Sequence, residues 1–230
     1  MQFKAVIFDK DGVIIDTQPI HYRVFCEFCD KFSWNITKSE YESYIGTTSI
    51  EMFHRIKKRY SSNIDVSELV DMFQDRYLAI IESSKDERPI LGVDILIKQL
   101  YSKGIQLAVA SSATRRKIEF VLNMFNLSEY FKSIVSGYEV EKSKPSPDIF
   151  LRAAKELNID PEECIVIEDS TNGIFAAKAA GMRCIGYQNP LGKQDLSLAD
   201  YTINNFNELI ESQFSKGIFG VYSARRTSSP

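Results

Sequence analysis

The sequence is short of several things that would make its function easy to name. It has only two histidines, and neither is placed to act as a base beside the acidic motifs. It has four cysteines, Cys26, Cys29, Cys164 and Cys184, without the paired spacing of a disulfide framework, so reduced thiols are expected. Cys26 and Cys29 form a C-x-x-C, but they lie in the helix-like stretch HYRVFCEFCDKF and no second pair completes a zinc site, which leaves packing as their role. No basic excess exists: 28 Lys and Arg stand against 31 Asp and Glu, for a net charge of −3, which argues against a nucleic-acid partner. No apolar run is long enough to cross a bilayer, and Met1 leads into a strand-like run without a signal-peptide pattern. The expectation is a cytoplasmic protein with no membrane partner, acting as a monomer. A glycine-rich phosphate loop is missing too.

What is present is an ordinary globular balance, 44% hydrophobic and 26% charged over 230 residues, enough for one core and a second domain. Apolar runs of strand length recur at KAVIF, IQLAVA, SIVS, CIVI and CIGY, most of them separated by segments of helical period. That alternation predicts an α/β fold with a parallel sheet flanked by helices. RRKIEFVLNMF reads as one of the helices, a second is expected to start at Ser146 as N-cap with Pro147 behind it, and a third to stop at Gly181.

From Thr17 to Arg88 the alternation breaks and no strand is convincing. Capping-box patterns at Thr37 with Glu40, Thr48 with Glu51 and, more loosely, Asp65 with Glu68 each open a helical pattern. In SIEMFHRIKKRY, Met52, Phe53, Ile56 and Tyr60 share one face, which puts His54, Lys57 and Lys58 in solvent. The organisation expected is therefore a core of residues 1–16 and 89–214, an all-helical insertion over 17–88 that returns through DERPILG, and a tail over 215–230.

In an open parallel sheet a ligand sits at the carboxyl ends of the strands. Collecting the residues just after each strand gives Asp9 and Asp11, then Ser111, then Lys142 and Lys144, then Glu168 and Asp169. Uncompensated, such carboxylates would be driven toward their neutral forms; a divalent cation lets them stay ionised, and Mg2+ is the natural one. A hard cation with a lysine and a hydroxyl suits the oxygens of a phosphoryl group. With no histidine base available, an aspartate is left as nucleophile.

The segments FDKDGVIIDT, VASSAT, KSKPSPDIF and VIEDSTNGIFAAKAAGM, in this order and on these elements, resemble the haloacid dehalogenase superfamily, in its β-phosphoglucomutase-like branch with a helical cap after the first motif. The resemblance spans about residues 3 to 190 and implies a Rossmann-like hydrolase core. It implies Asp9 as nucleophile, forming an aspartyl phosphate, and Asp11 as general acid and base. It implies metal ligation by Asp9, Asp169, the backbone carbonyl of Asp11, and Glu168 as ligand or support. Lys144 and Ser111 would hold phosphoryl oxygens, with Lys144 also offsetting the charge of Asp9 and Ser112 as the alternative hydroxyl. Lys142 reads as a solvated charge, Asp16 as a hydrogen-bonding residue of the hinge at Thr17, and His21 either orients the catalytic loop or packs at the cap interface.

The function expected is a magnesium-dependent phosphatase acting on a small phosphorylated metabolite such as a sugar phosphate. The alternatives are a β-phosphoglucomutase and a non-catalytic phosphate-sensing protein. An intact Asp11 and the cap weigh against the sensor. Ungapped alignment with the mutase puts Ser49 where it carries an arginine for the distal phosphate and Phe73 where it carries a cap lysine, which weighs against the mutase unless Arg55 or Arg76 substitutes.

Overall fold

The computed structural model describes residues 3–61, 63–83, 88–190 and 194–210. The tail over 215–230 lies outside the described residues, as do Asp86 and Glu87 of the return segment. The five expected strands are present as β1 (Ala5–Phe8), β2 (Gln106–Ser111), β3 (Ser133–Ser136), β4 (Cys164–Glu168) and β5 (Arg183–Tyr187). A sixth, β6 (Tyr201–Ile203), has only three residues, too few for its alternation to be read from sequence. All pair in parallel in the order β3-β2-β1-β4-β5-β6.

Alternate strand residues feed two separate clusters, which makes this a three-layer Rossmann-like core. Val6, Phe8, Ile165 and Ile167 face α5 (Val93–Ser102) and α6 (Arg115–Met124). Ala5, Ile7 and Val166 face α7 (Asp148–Leu157) and α8 (Thr171–Ala179). Strands covered on both faces read as continuous apolar runs, which is why they were visible as such. Two helix ends test the capping rules. Gly181 does follow α8 in the left-handed conformation, at φ 74°. Ser146 does not cap α7: Pro147 occupies the N-cap position, and the Ser146 hydroxyl donates to Asp148 at 2.6 Å.

The insertion folds as α1 (Gln18–Phe32), α2 (Lys38–Glu42), α3 (Ser49–Tyr60) and α4 (Val66–Ser83). They enclose a third cluster rich in rings, including Phe25, Phe28, Trp34, Phe53, Phe73 and Tyr77. Of the three capping boxes expected in the insertion, Thr48 with Glu51 forms the full reciprocal pair. Thr37 accepts from the Glu40 backbone at 3.2 Å, but the Glu40 side chain is drawn to Tyr44 and Arg59. Asp65 accepts from the Ser67 backbone at 2.7 Å. His54 is exposed and Cys26 and Cys29 are half-buried along α1. The two chain crossings between insertion and core run side by side: Ile15 bridges Pro89, and the Ile90 amide donates to Ile14 at 2.9 Å. A short α9 (Asn207–Ile210) closes the described chain.

Candidate active site

The strand order reverses between β1 and β4, since the chain moves outward through β2 and β3 before returning to the other side of β1. A crevice at such a reversal is where open α/β sheets bind ligands. Asp9 follows β1 there, and Asp169 follows β4. The turn that carries Asp11 requires Gly12, whose φ is 85° and at which a Cβ would collide with the Asp169 carboxylate. A cleft lies above them. Its floor includes Asp9, Asp11, Ser111, Ser112 and Asp169, and the cap provides Thr17, His21, Tyr41, Tyr44, Thr48 and Tyr77.

Lys144 lies behind Asp9 rather than in the cleft. Its ammonium donates to Asp9 Oδ1 at 2.5 Å, Glu168 Oε1 at 2.7 Å and the Ala110 carbonyl at 3.1 Å, which uses all three of its protons. Burial alone would lower its pKa, but Asp9 and Glu168 outweigh burial and hold it above the ordinary lysine value. The expected grip of Lys144 on a phosphoryl oxygen would therefore need one of these bonds to be exchanged. Glu168 is likewise turned inward: Oε2 accepts from the Ser170 backbone at 2.7 Å and its hydroxyl at 2.9 Å, so both oxygens are engaged.

Asp11 is held from two sides, by Lys10 Nζ at 2.6 Å and by the Thr17 hydroxyl at 2.5 Å. Burial would push its pKa up; Lys10, helped by Thr17, reverses this and holds it below the usual carboxylate value. Asp9 behaves oppositely. Burial pushes it up to about 7, Lys144 opposing and Glu168 and Asp11 adding to the rise. Asp169 is raised well above the ordinary value, first by burial and then by Glu168 and Asp9.

These shifts test whether a cation fits. Among the described residues, no three His, Cys, Asp or Glu side chains are grouped to hold a metal ion. Glu168 has both oxygens on protein partners, and Asp11, whose two bonds both fall on Oδ1, has its charge answered by Lys10, which leaves Asp9 and Asp169 as the carboxylates raised for want of positive charge. Asp9 and Asp169 both border the cleft, and neither Asp9 Oδ2 nor Asp169 Oδ1 has a hydrogen-bond partner among the described residues. Two carboxylates short of positive charge match Mg2+, which binds through one or two carboxylates and keeps several waters.

The remaining expected residues are placed as follows. The Ser111 hydroxyl accepts from the Ala113 amide at 3.2 Å, and Ser112 donates to the cap at the Gly46 carbonyl, 2.7 Å away. His21 meets the Tyr41 hydroxyl at 3.0 Å and the Phe73 ring at 4.8 Å; burial first, then Lys117, keeps its pKa well below the ordinary value. Lys142 is exposed, and Asp16 accepts from the Gln18 amide at 3.3 Å. Arg76 is paired with Glu27 outside the cleft, and the exposed Arg55 stacks over Tyr44.

Among the cleft residues that sequence reasoning missed, two lysines and two glutamines stand out. Lys10 is buried beside Asp11, and Lys117 is buried on α6. Gln18 donates to Asp169 at 3.1 Å, and Gln74 joins Thr114 to Tyr138 across the cap boundary. For Lys117 a signal existed: it sits one turn before Val121 on the buried face of its helix, where a charge is out of place.

Comparison with known proteins bears on the family and the fold. Residues 6–187 match the family described as haloacid dehalogenase-like hydrolase. Hexitol phosphatase B of Escherichia coli (strain K12) is 30% identical, covering 90% of this chain and 95% of its own. The crystal structure of β-phosphoglucomutase from Clostridium difficile superposes with a TM-score of 0.84 at 27% identity, over 95% of this chain and 97% of that one. A CbbY variant from Rhodobacter sphaeroides in complex with xylulose-(1,5)bisphosphate superposes with a TM-score of 0.82 at 28% identity, over 90% and 96% of the two chains. On sequence and on fold, this chain belongs to the haloacid dehalogenase-like hydrolase family.

Proposed function

We propose that the protein is a magnesium-dependent phosphatase that cleaves a small phosphorylated metabolite through an aspartyl phosphate on Asp9. The observation that carries this reading is the opposed state of two carboxylates two residues apart. Asp9 is fixed by Lys144 with one oxygen facing the cleft, whereas Asp11 is held by Lys10 and Thr17 beside it. Environments that separate two acids in this way assign them different roles.

Asp9 Oδ2 attacks phosphorus, and the bond to the leaving oxygen breaks as Asp11, turned toward it in the protonated form, gives up its proton. Water then attacks the aspartyl phosphate while ionised Asp11 takes its proton, releasing inorganic phosphate and restoring Asp9. The pose observed, with Asp11 kept ionised, is the one this second step uses. Mg2+ held by Asp9, Asp169 and the Asp11 carbonyl would neutralise charge on the phosphoryl oxygens. Ser111 and the backbone beside it border the cleft where those oxygens would lie.

A hexitol phosphatase and a protein holding xylulose-(1,5)bisphosphate among the relatives favour a phosphorylated sugar or sugar alcohol as substrate. The mutase reading is weakened by Ser49 and Phe73, and neither Arg55 nor Arg76 borders the cleft. We place the enzyme in the cytoplasm as a monomer; the four free cysteines, and the lack among the described residues of a helix able to cross a membrane, fit this. The test is phosphate release across a panel of sugar and sugar-alcohol phosphates with Mg2+, repeated after exhaustive chelation. Release that requires the metal, without isomerisation of β-glucose 1-phosphate in the presence of glucose 1,6-bisphosphate, supports the reading. Full release without metal, or fast isomerisation, overturns it.

A further inference from the structure

Three lysines are buried around the cleft, and two have their charge answered: Lys10 by Asp11, Lys144 by Asp9 and Glu168. Lys117 differs. It is only 4% exposed, it borders the cleft, and it makes no hydrogen bond or ion pair to any described residue. Its ammonium stands 3.9 Å from the centre of the Tyr77 ring and 5.8 Å from that of Phe73, both on cap helix α4. A ring face offsets only part of what a buried cation loses in hydration. Burial, with Lys10 adding to it, pushes the group down to about 7, the mark of a cation still lacking its counter-charge.

Among the described residues, Asp11 acts on Lys117 from a distance but none meets the ammonium in an ion pair. Asp11 is already held by Lys10 and Thr17, and Gln74 is engaged at both ends, with Thr114 at 3.0 Å and Tyr138 at 3.1 Å. Contact with α4 puts the ammonium at the cap wall of the cleft, where the part of a substrate beyond its reacting phosphate would lie. A neutral hydroxyl there would gain one hydrogen bond; an anion would also supply the missing charge.

Resting on the phosphatase reading for which phosphate reacts, we propose that Lys117 is a specificity-determining residue that selects substrates with a second anionic group, carboxylate or phosphate, at the end remote from the reacting phosphate. The cation that the cap lacks at Ser49 and Phe73 is thereby supplied at the cap wall by a side chain of core helix α6.

Three probes on one six-carbon chain test this: glucitol 6-phosphate, 6-phosphogluconate and glucitol 1,6-bisphosphate. Their dissociation constants are measured by calorimetry with Mg2+ on the Asp9→Asn protein, which reads binding without turnover. At least one doubly anionic probe is expected to bind about tenfold or more tightly than glucitol 6-phosphate. Lys117→Met and Lys117→Gln, added separately, should bring that ratio close to one, and Lys117→Arg should keep it. Comparing 6-phosphogluconate with the bisphosphate shows which anion is preferred. A ratio near one in the parent, a ratio that survives both neutral replacements, or no binding of any probe overturns the proposal. A ratio that depends on Lys117, with no phosphate released by the unaltered protein from any of the three, would instead overturn the phosphatase reading alone.

Discussion

The core and the cap solve the burial problem with different materials. The core buries Ala, Val and Ile on parallel strands, and every residue of β1 is fully inaccessible. Its carboxylates are fixed at strand ends by backbone that sheet neighbours restrain on both sides. The cap buries rings instead: Phe28, Phe53 and Phe73 meet edge to face or tilted, with centroids 5.3–5.9 Å apart. Such a cluster holds four helices together without a sheet.

Where the two units meet, the contacts are largely polar. Ser143 donates to Glu51 at 2.5 Å, Asn172 to the Ile45 carbonyl at 2.8 Å, and Gly46 presses so close that a Cβ there would lie 2.6 Å from the Ser170 hydroxyl. Phe120, Met124 and Tyr138 add a partly buried apolar strip. Polar contacts exchange with water at a net cost of about 0.5–1.5 kcal/mol each, so this boundary can open where neither interior can. On the proposed function this divides the labour: the groups proposed to react sit on the sheet-anchored unit, and the walls proposed to choose the substrate sit partly on the helical one.

The comparison is broken most severely at Asp9. Asp9→Asn is expected to lower phosphate release by at least about 10⁴-fold and to abolish trapping by beryllium fluoride, while the cap stays folded. Turnover retained by this variant would move the chemistry off the β1 end. Asp11→Asn should cost about 10²–10⁴-fold yet leave phosphate binding intact, as measured by turnover beside calorimetry.

In the cap, Phe53→Ala should destabilise its own unit by about 3–5 kcal/mol. Hydrogen exchange is expected to rise across α1 to α4 and to stay slow in β1 and β4. Equal loss of protection in both would show that they unfold as one.

Lys117→Met should raise stability by about 1–2 kcal/mol near pH 7. The sign follows from linkage: a lysine whose folded pKa is lowered to about 7 destabilises the fold in full where both states are protonated, and progressively less as the folded lysine loses its proton before the unfolded one. The gain should therefore be full at and below pH 7 and fade as pH rises toward the ordinary lysine value of about 10.4, as thermal melts across that range would show. Smallest of all, Gln74→Ala removes the link from α4 to Thr114 and Tyr138 and should favour the open cap by about 1 kcal/mol. Scattering with and without beryllium fluoride would report it, and an unchanged distribution would mean that the apolar strip alone holds the cap.

Asp9, Asp11 and Asp169 were legible because their positions follow from strand ends, and strands with both faces covered announce themselves as short apolar runs. The helical insertion was legible for a similar reason: Thr48 with Glu51 caps α3 using residues three apart. Lys117 was not, although its place on the buried face of α6 was a usable hint, because a lysine in an amphipathic helix reads by default as solvated. Lys144 was placed beside Asp9, but its further bonds to Glu168 and the Ala110 carbonyl were not legible, since its position after a strand says nothing about which way its side chain turns.

By itself, then, the sequence determined what is local or periodic: five of the six strands among the described residues, the helices between them, and the strand ends where acids gather. Tertiary structure alone decided how the buried charges are shared. Lys144 meets Asp9 across 135 positions of chain, and Gln18 meets Asp169 across 151. The pairing of a buried charge depends on distance and exclusion of water in space, and neither is written in the order of residues along the chain.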